Sequence, residues 1–165
     1  FAADHRLNRR LQNRNDVGRD DKGVPKHIGG DFIITKAEIQ SKICNPNIKS
    51  LIIRTLPNNE SKKNKNYSHS NPPYLEEDAA IYLREIGIDH LLIDLPSVDK
   101  EKDDGALLCH NAFWNTYGEV RVSATITEFI YIDDIINDGT YILNLQIAPI
   151  ENDASPSKPT IYKVI

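Results

Sequence analysis

Methionine is missing altogether from this 165-residue chain, tryptophan occurs once and cysteine twice. Without even a starting Met, the chain is expected to be a processed product or a fragment. The two cysteines, Cys44 and Cys109, lie far apart and in neither C-x-x-C nor zinc-ribbon spacing. That argues against a disulfide scaffold and leaves reduced, buried thiols as the expectation. No apolar run reaches the roughly 18 residues of a membrane-spanning helix. The head is too charged for a signal peptide, so a cytoplasmic protein without membrane contact is expected. A net charge of −4 removes the global signature of nucleic-acid binding. What remains is enough chain for one domain, burying roughly 70% of its unfolded surface.

Arginine is unevenly placed. Five of the eight arginines (Arg6, Arg9, Arg10, Arg14, Arg19) fall in the first 19 residues, and lysine dominates the rest. Residues 1–26 hold seven Lys/Arg against four Asp, a charge of +3 that leaves −7 for the remainder. Leu7 and Leu11, like Arg10 and Arg14, are spaced i, i+4, so a short basic helix over 4–14 is open. Asn13, Asn15, Gly18 and Gly23-Val-Pro25 break it. The low apolar content favours a solvated, flexible arm with no place in a central sheet. Such an arm can touch an acidic partner surface. No aromatic residues interleave its charges, so nucleic acid is not the expected partner. We divide the chain into a basic head, 1–27, and a domain, 28–165.

Beyond the head the periodicities become readable. Asp31-Phe-Ile-Ile34 reads as a strand, and Thr35-Lys-Ala-Glu38 is a capping box opening a helix to about Ile43. Ser50–Thr55 reads as a buried strand, ended by Pro57 and a polar loop, 58–71, whose Lys62-Lys-Asn-Lys65 cluster is taken as solvated. Leu75, Ala79, Tyr82, Leu83 and Ile86 share one helical face, with Gly87 as the stop. Ile88–Leu95 is a second buried strand, so strand, helix and strand make a βαβ unit with a parallel pair. Ala106–Trp114 reads as a helix, and Thr125–Ile132 and Thr140–Ala148 as strands around a turn at Asn137-Asp-Gly139. The fold class is α/β with a mixed sheet.

Two side chains draw attention. Glu128 lies among Ile126, Phe129 and Ile130. A carboxylate inside an apolar strand costs several kcal/mol unless it is paired or bound to a cation. An edge-strand Glu facing water is the plain alternative. His110 follows Leu107 and Leu108 at the end of a helical turn, where a core histidine bonded to backbone would ordinarily be expected. Asp94-Leu-Pro-Ser-Val-Asp99 follows a parallel strand, at the end where ligand sites collect. Ser97 and Asp99 can equally cap the next turn. Tyr67-Ser-His-Ser70 is a poor nucleophile-base pair, because adjacent side chains point apart and no orienting carboxylate is evident.

Gly87–Asp99, Leu107–His110, Thr127-Glu128 and Asp153-Ala-Ser-Pro156, in this order, resemble the C-terminal half of the cyclase family of metal-dependent hydrolases. Bacterial kynurenine formamidase (arylformamidase) and isatin hydrolase belong to that family. The resemblance covers about 28–165. It implies a swivelling β/α-type domain whose N-terminal part is missing here, an amide or cyclic amide substrate such as an N-formylkynurenine-like molecule, and a dimer or higher homo-oligomer. It implies that His110 and Glu128 are metal ligands, with Asp94, Ser97, Asp99, Asp153 and Ser155 in support. Lys158 stands where the family's D-A-S-P-x-R close has Arg, and cannot make a bidentate contact.

An imidazole and a carboxylate suit Zn or Mn, but a catalytic zinc takes three protein ligands and an open position. The family draws the others from an H-x-G-T-H-x-D-x-P segment and a nearby acid/base histidine. Here His5, His27, His69, His90 and His110 are never closer than 20 residues, so no H-x-x-x-H exists. Asp4 and His5 lack the required spacing, and no catalytic residue is identified. Three readings stay open: an amide hydrolase, inactive as this chain alone; a truncated non-catalytic relative; and a binding module using its basic arm.

Overall fold

The computed structural model describes residues 2–4, 26–43, 45 and 47–164. The expected helix over 4–14, the loop that breaks it and Cys44 fall outside these residues, apart from the backbone of Asp4. Three strands run parallel because the segments linking them cross over the sheet: β4 (Ser50–Ile53), β6 (His90–Ile93) and β7 (Thr125–Thr127). The six-stranded sheet is completed by β1 (Ala2–Asp4), β8 (Thr140–Ile147) and β9 (Ser157–Lys163), in the order β7-β6-β4-β1-β8-β9. β8 is antiparallel to β1, and β9 to β8. A small second sheet joins β2 (Lys26–Ile28), β3 (Asp31–Ile34) and β5 (Tyr74–Leu75). Gly29 and Gly30, both at positive φ, make its two-residue hairpin.

The head departs from its reading as an arm outside the sheet. Ala2–Asp4 pairs parallel with β4 and antiparallel with β8, so it sits in the middle of the main sheet. Three residues are too short for any alternation of side chains to show. Their place is set by backbone N–H and C=O groups, which every residue carries.

Three helices cover one face: α1 (Lys36–Lys42), α2 (Glu77–Glu85) and α3 (Leu108–Trp114). The capping box forms as read, with Thr35 Oγ1 accepting from Glu38 N at 3.3 Å and Thr35 N donating to Glu38 Oε2 at 2.7 Å. Thr35→Ala should therefore lower stability by about 1 kcal/mol, seen as a lower urea midpoint at unchanged slope. No change in midpoint would mean the helix is held by packing alone. α2 starts later than its apolar face suggests, because Tyr74-Leu75 is drawn into β5 beside β3. It stops at Gly87, whose φ of +79 a side chain would resist.

Alternate residues of β4 and β6 face opposite sides. Leu51, Ile53, Leu91 and Ile93 pack under the helices with Ile39, Leu83, Ile88 and Phe113. Ile52 and Leu92 face the other side and meet Leu143 and Ile132. Ile132 comes from the connection 128–139, which crosses from β7 at one edge to β8. This corrects the strand expected over Thr125–Ile132, which ends at Thr127. The turn at 137–139 joins no adjacent strands, since β7 and β8 are four places apart in the sheet order. Buried Arg54 and Asn58 anchor the crossover through Asp133 O and Ile132 O. Pro159 lies within β9, which had no strand signal, and is tolerated there because β9 is the sheet's edge. Among the described residues no helix is long and apolar enough to cross a membrane.

Candidate metal half-site

Parallel strands carry their successor segments to one end of a sheet. The segment after β6 holds Asp94–Asp99, and the residue after β7 is Glu128. Glu128 thus lies just past the strand rather than inside it, with its side chain 26% exposed. Phe129 next to it adopts φ +56, and its N–H is held by Leu95 O at 2.9 Å. This left-handed step ends the strand and leaves the Glu128 carboxylate at the sheet end.

His110 is in the first turn of α3, and Asp99 holds that turn. Asp99 Oδ1 accepts from Cys109 N at 2.6 Å and Oδ2 from His110 N at 3.3 Å. The same Oδ2 pairs with the His110 ring at Nδ1, 2.5 Å away. The other ring nitrogen, Nε2, lies 3.5 Å from Glu128 Oε1. Trp114, one helical turn further on, tilts against the imidazole with ring centroids 5.1 Å apart. Glu128 Oε1 accepts in turn from Val98 N at 2.9 Å.

The electrostatics agree with this geometry. Burial works to lower the pKa of His110, but Asp99 and Glu128 outweigh it and raise it. Burial works to raise that of Asp99, yet His110 and the backbone N–H groups of Cys109 and His110 bring it down. A positive charge on the imidazole is favoured between the two carboxylates. The Cys109 thiol is the reverse case: burial first, then Asp99, pushes its pKa up, and its Sγ donates to Leu75 O, so it is an inert core group.

The donor set can be tested against a metal. Two atoms each 2.0–2.2 Å from a tetrahedral ion lie about 3.4 Å apart. The 3.5 Å between His110 Nε2 and Glu128 Oε1 matches that spacing. The carboxylate on the far ring nitrogen is the usual support of a metal-bound histidine. The pair therefore fits one half of a metal site. Among the described residues no group of three His, Cys, Asp or Glu side chains could hold an ion.

The other expected support residues divide. Asp99 belongs to the site directly. Ser97 Oγ accepts from Asp99 N at 3.1 Å and shapes the turn. Asp94 points elsewhere, to Thr55 N, Thr55 Oγ1 and Lys62 Nζ, at 2.8, 2.9 and 2.6 Å. Asp153 and Ser155 are not brought to the site. They lie in the β8–β9 turn, and because β8 runs antiparallel this turn is at the opposite end of the sheet. Asp153 bonds Ala154 N, and Ser155 donates to Ala148 O. In the Tyr67–Ser70 loop, Ser70 Oγ donates to Tyr67 O, so its hydroxyl is engaged by backbone.

The structure adds residues that sequence reading passes over. Trp114 stands four residues after His110, a spacing that places the two on one helical face and is a usable signal. The Val98 N–H leaves no mark in a sequence. Lys62 corrects the expectation of a solvated cluster: its side chain is only 9% exposed and lies in a 3-10 turn, Glu60–Asn64, against the fully buried Asp94.

A family described as "Putative cyclase" matches residues 19–100, about half of the chain. The match begins inside the arginine-rich head, ahead of the 28–165 over which the resemblance was read, and contains Gly87–Asp99. It ends before His110 and Glu128. Two solved structures are similar. One, "potential metal-dependent hydrolase with cyclase activity", has TM-score 0.55 and 18% identity over 79% of this chain. The other, "predicted metal-dependent hydrolase" from Bacillus stearothermophilus, has TM-score 0.54 and 19% identity over 82% of it. The chain spans 58% of the length of each. No curated protein matches.

Proposed function

Because this chain belongs to the cyclase family, we propose that it carries half of the metal centre of a metal-dependent amide hydrolase. The supporting observation is the convergence of His110 Nε2 and Glu128 Oε1 at 3.5 Å, with Asp99 on the far side of the imidazole. The ion is Zn or Mn, since both accept imidazole and carboxylate donors. When bound, such an ion lowers the pKa of water and polarises a carbonyl. His110 contributes a neutral nitrogen donor, Glu128 an anionic one, and Val98 N–H orients the Glu128 carboxylate. Trp114 covers one side of the imidazole. The substrate is an amide or cyclic amide of the N-formylkynurenine type. Further donors of the H-x-G-T-H-x-D kind are not supplied by residues 1–165.

Trp114 is the sole tryptophan and lies against His110, so its fluorescence reports on the site. Zn²⁺ should change that emission, reversibly with EDTA. His110→Ala should abolish the response, and Glu128→Gln should weaken it about 10-fold or more by removing the anionic donor. The chain alone should hydrolyse N-formylkynurenine no faster than background. Adding an N-terminal H-x-G-T-H-x-D segment should confer turnover that EDTA abolishes. An unchanged Zn²⁺ response in His110→Ala would place the metal elsewhere. No response at all would favour a non-catalytic relative.

A further inference from the structure

We propose that Asp99 is a positioning residue that locks His110 in the Nδ1–H tautomer, so that the turn 97–99 presets both donors of the half-site before any metal arrives. This role deepens the metal reading and rests on it for its purpose, though not for its geometry.

Two donors on different elements, α3 and the end of β7, both depend on one tripeptide. Asp99 Oδ2 is 2.5 Å from His110 Nδ1, and Val98 N donates to Glu128 Oε1 at 2.9 Å. The turn itself is fixed on three sides. Ser97 Oγ accepts from Asp99 N at 3.1 Å, Val98 O accepts from Leu75 N at 2.9 Å, and Val98 is fully buried. A carboxylate has no proton to give at neutral pH, and of the two that face this ring Asp99, 2.5 Å from Nδ1, is nearer than Glu128, 3.5 Å from Nε2, so the neutral imidazole places its hydrogen on Nδ1. The Nε2 lone pair then faces Glu128, where a cation would sit. With the opposite tautomer, Nε2 would carry the hydrogen and could not ligate.

Asp99 also receives the N–H groups of Cys109 and His110, so a purely structural role as anchor of α3 must be separated from this one. Asp99→Asn does so. Its carbonyl oxygen can still accept from Cys109 N, but its NH₂ group would face Nδ1 and force that nitrogen to accept. Asp99→Glu keeps a carboxylate within reach of the ring.

The test is ¹⁵N NMR of the histidines in the full, metal-free chain at alkaline pH, with the His110 signals assigned from His110→Ala. Wild type should show the Nδ1–H tautomer, Asp99→Asn the Nε2–H tautomer, and Asp99→Glu a return towards wild type. Zn²⁺ affinity, read from Trp114 fluorescence, should fall about 10- to 100-fold in Asp99→Asn and recover in part in Asp99→Glu. Far-UV circular dichroism should show α-helix retained in both. A wild-type His110 in the Nε2–H form would overturn the proposal without recourse to any variant, and so would an Asp99→Asn that folds and keeps the wild-type tautomer. If wild type binds no Zn²⁺ yet shows the Nδ1–H form, the metal reading fails while the positioning role of Asp99 stands.

Discussion

Lys62→Met should lower the unfolding free energy by about 3–5 kcal/mol, because it strands a carboxylate in the core. The Lys62 and Asp94 side chains are 9% and 0% exposed, and their charged atoms are 2.6 Å apart. Burial pushes the Asp94 pKa up and that of Lys62 down, and each partner pulls the other part of the way back. The pair as a whole adds little net stability, since desolvation opposes attraction. Removing one member is different, because the other keeps its full desolvation penalty. Two bonds from Thr55 remain to Asp94 and place the loss toward the lower end.

The pH dependence carries the signature. Without Lys62 the folded-state pKa of Asp94 rises further above its unfolded value. A group raised in this way binds protons more readily when folded, so stability falls as pH rises through that folded pKa. The variant should be weakest near neutrality and recover in mild acid relative to wild type. Urea titrations across pH measure both effects. A loss under about 1 kcal/mol, with no acid recovery relative to wild type, would show that Asp94 finds water in place of the lysine.

Phe113→Ala should be about as damaging, at about 3–5 kcal/mol, or roughly 10 °C in melting temperature for a chain of this length. Phe113 is fully buried on α3, and the Arg121 guanidinium lies 5.0 Å from its ring. Arg121 also bonds Phe113 O and Ile88 O, so the ring and the Arg121 stem support each other. The cavity would open beneath the helix whose first turn carries His110. Stability and the Trp114 response to Zn²⁺ should therefore fall together, with Phe113→Leu intermediate in both. A stability loss with an unchanged Zn²⁺ response would mean that Asp99 alone holds His110 in place.

Much of the local structure was determined by the sequence itself. The box Thr35–Glu38 specifies a helix start through contacts three residues apart, and Gly87 specifies a stop through its free φ. The buried runs around Leu51–Ile53 and Leu91–Ile93 determine two parallel strands, because only a doubly covered sheet accommodates unbroken apolar runs. His110 and Glu128 could be singled out, one by family resemblance and the other by its apolar neighbours. Glu128 lies within reach of His110 Nε2 and Val98 N, but outside the strand that its neighbours suggest. Phe129 turns the chain out of that strand, and nothing in the composition of 125–132 announces the turn.

Tertiary structure decided what local pattern cannot carry. Ala2–Asp4 entered the middle of the sheet through backbone hydrogen bonds, which have no side-chain signature. Lys62 was drawn inward by Asp94, a partner 32 residues away. The antiparallel course of β8 put Asp153 and Ser155 at the far end of the sheet, although their motif stands in the expected order along the chain. Asp99 could be read as a cap or as site support. Only the docking of α3 against the turn after β6 decided its partners, because one carboxylate there meets two backbone N–H groups and an imidazole at once.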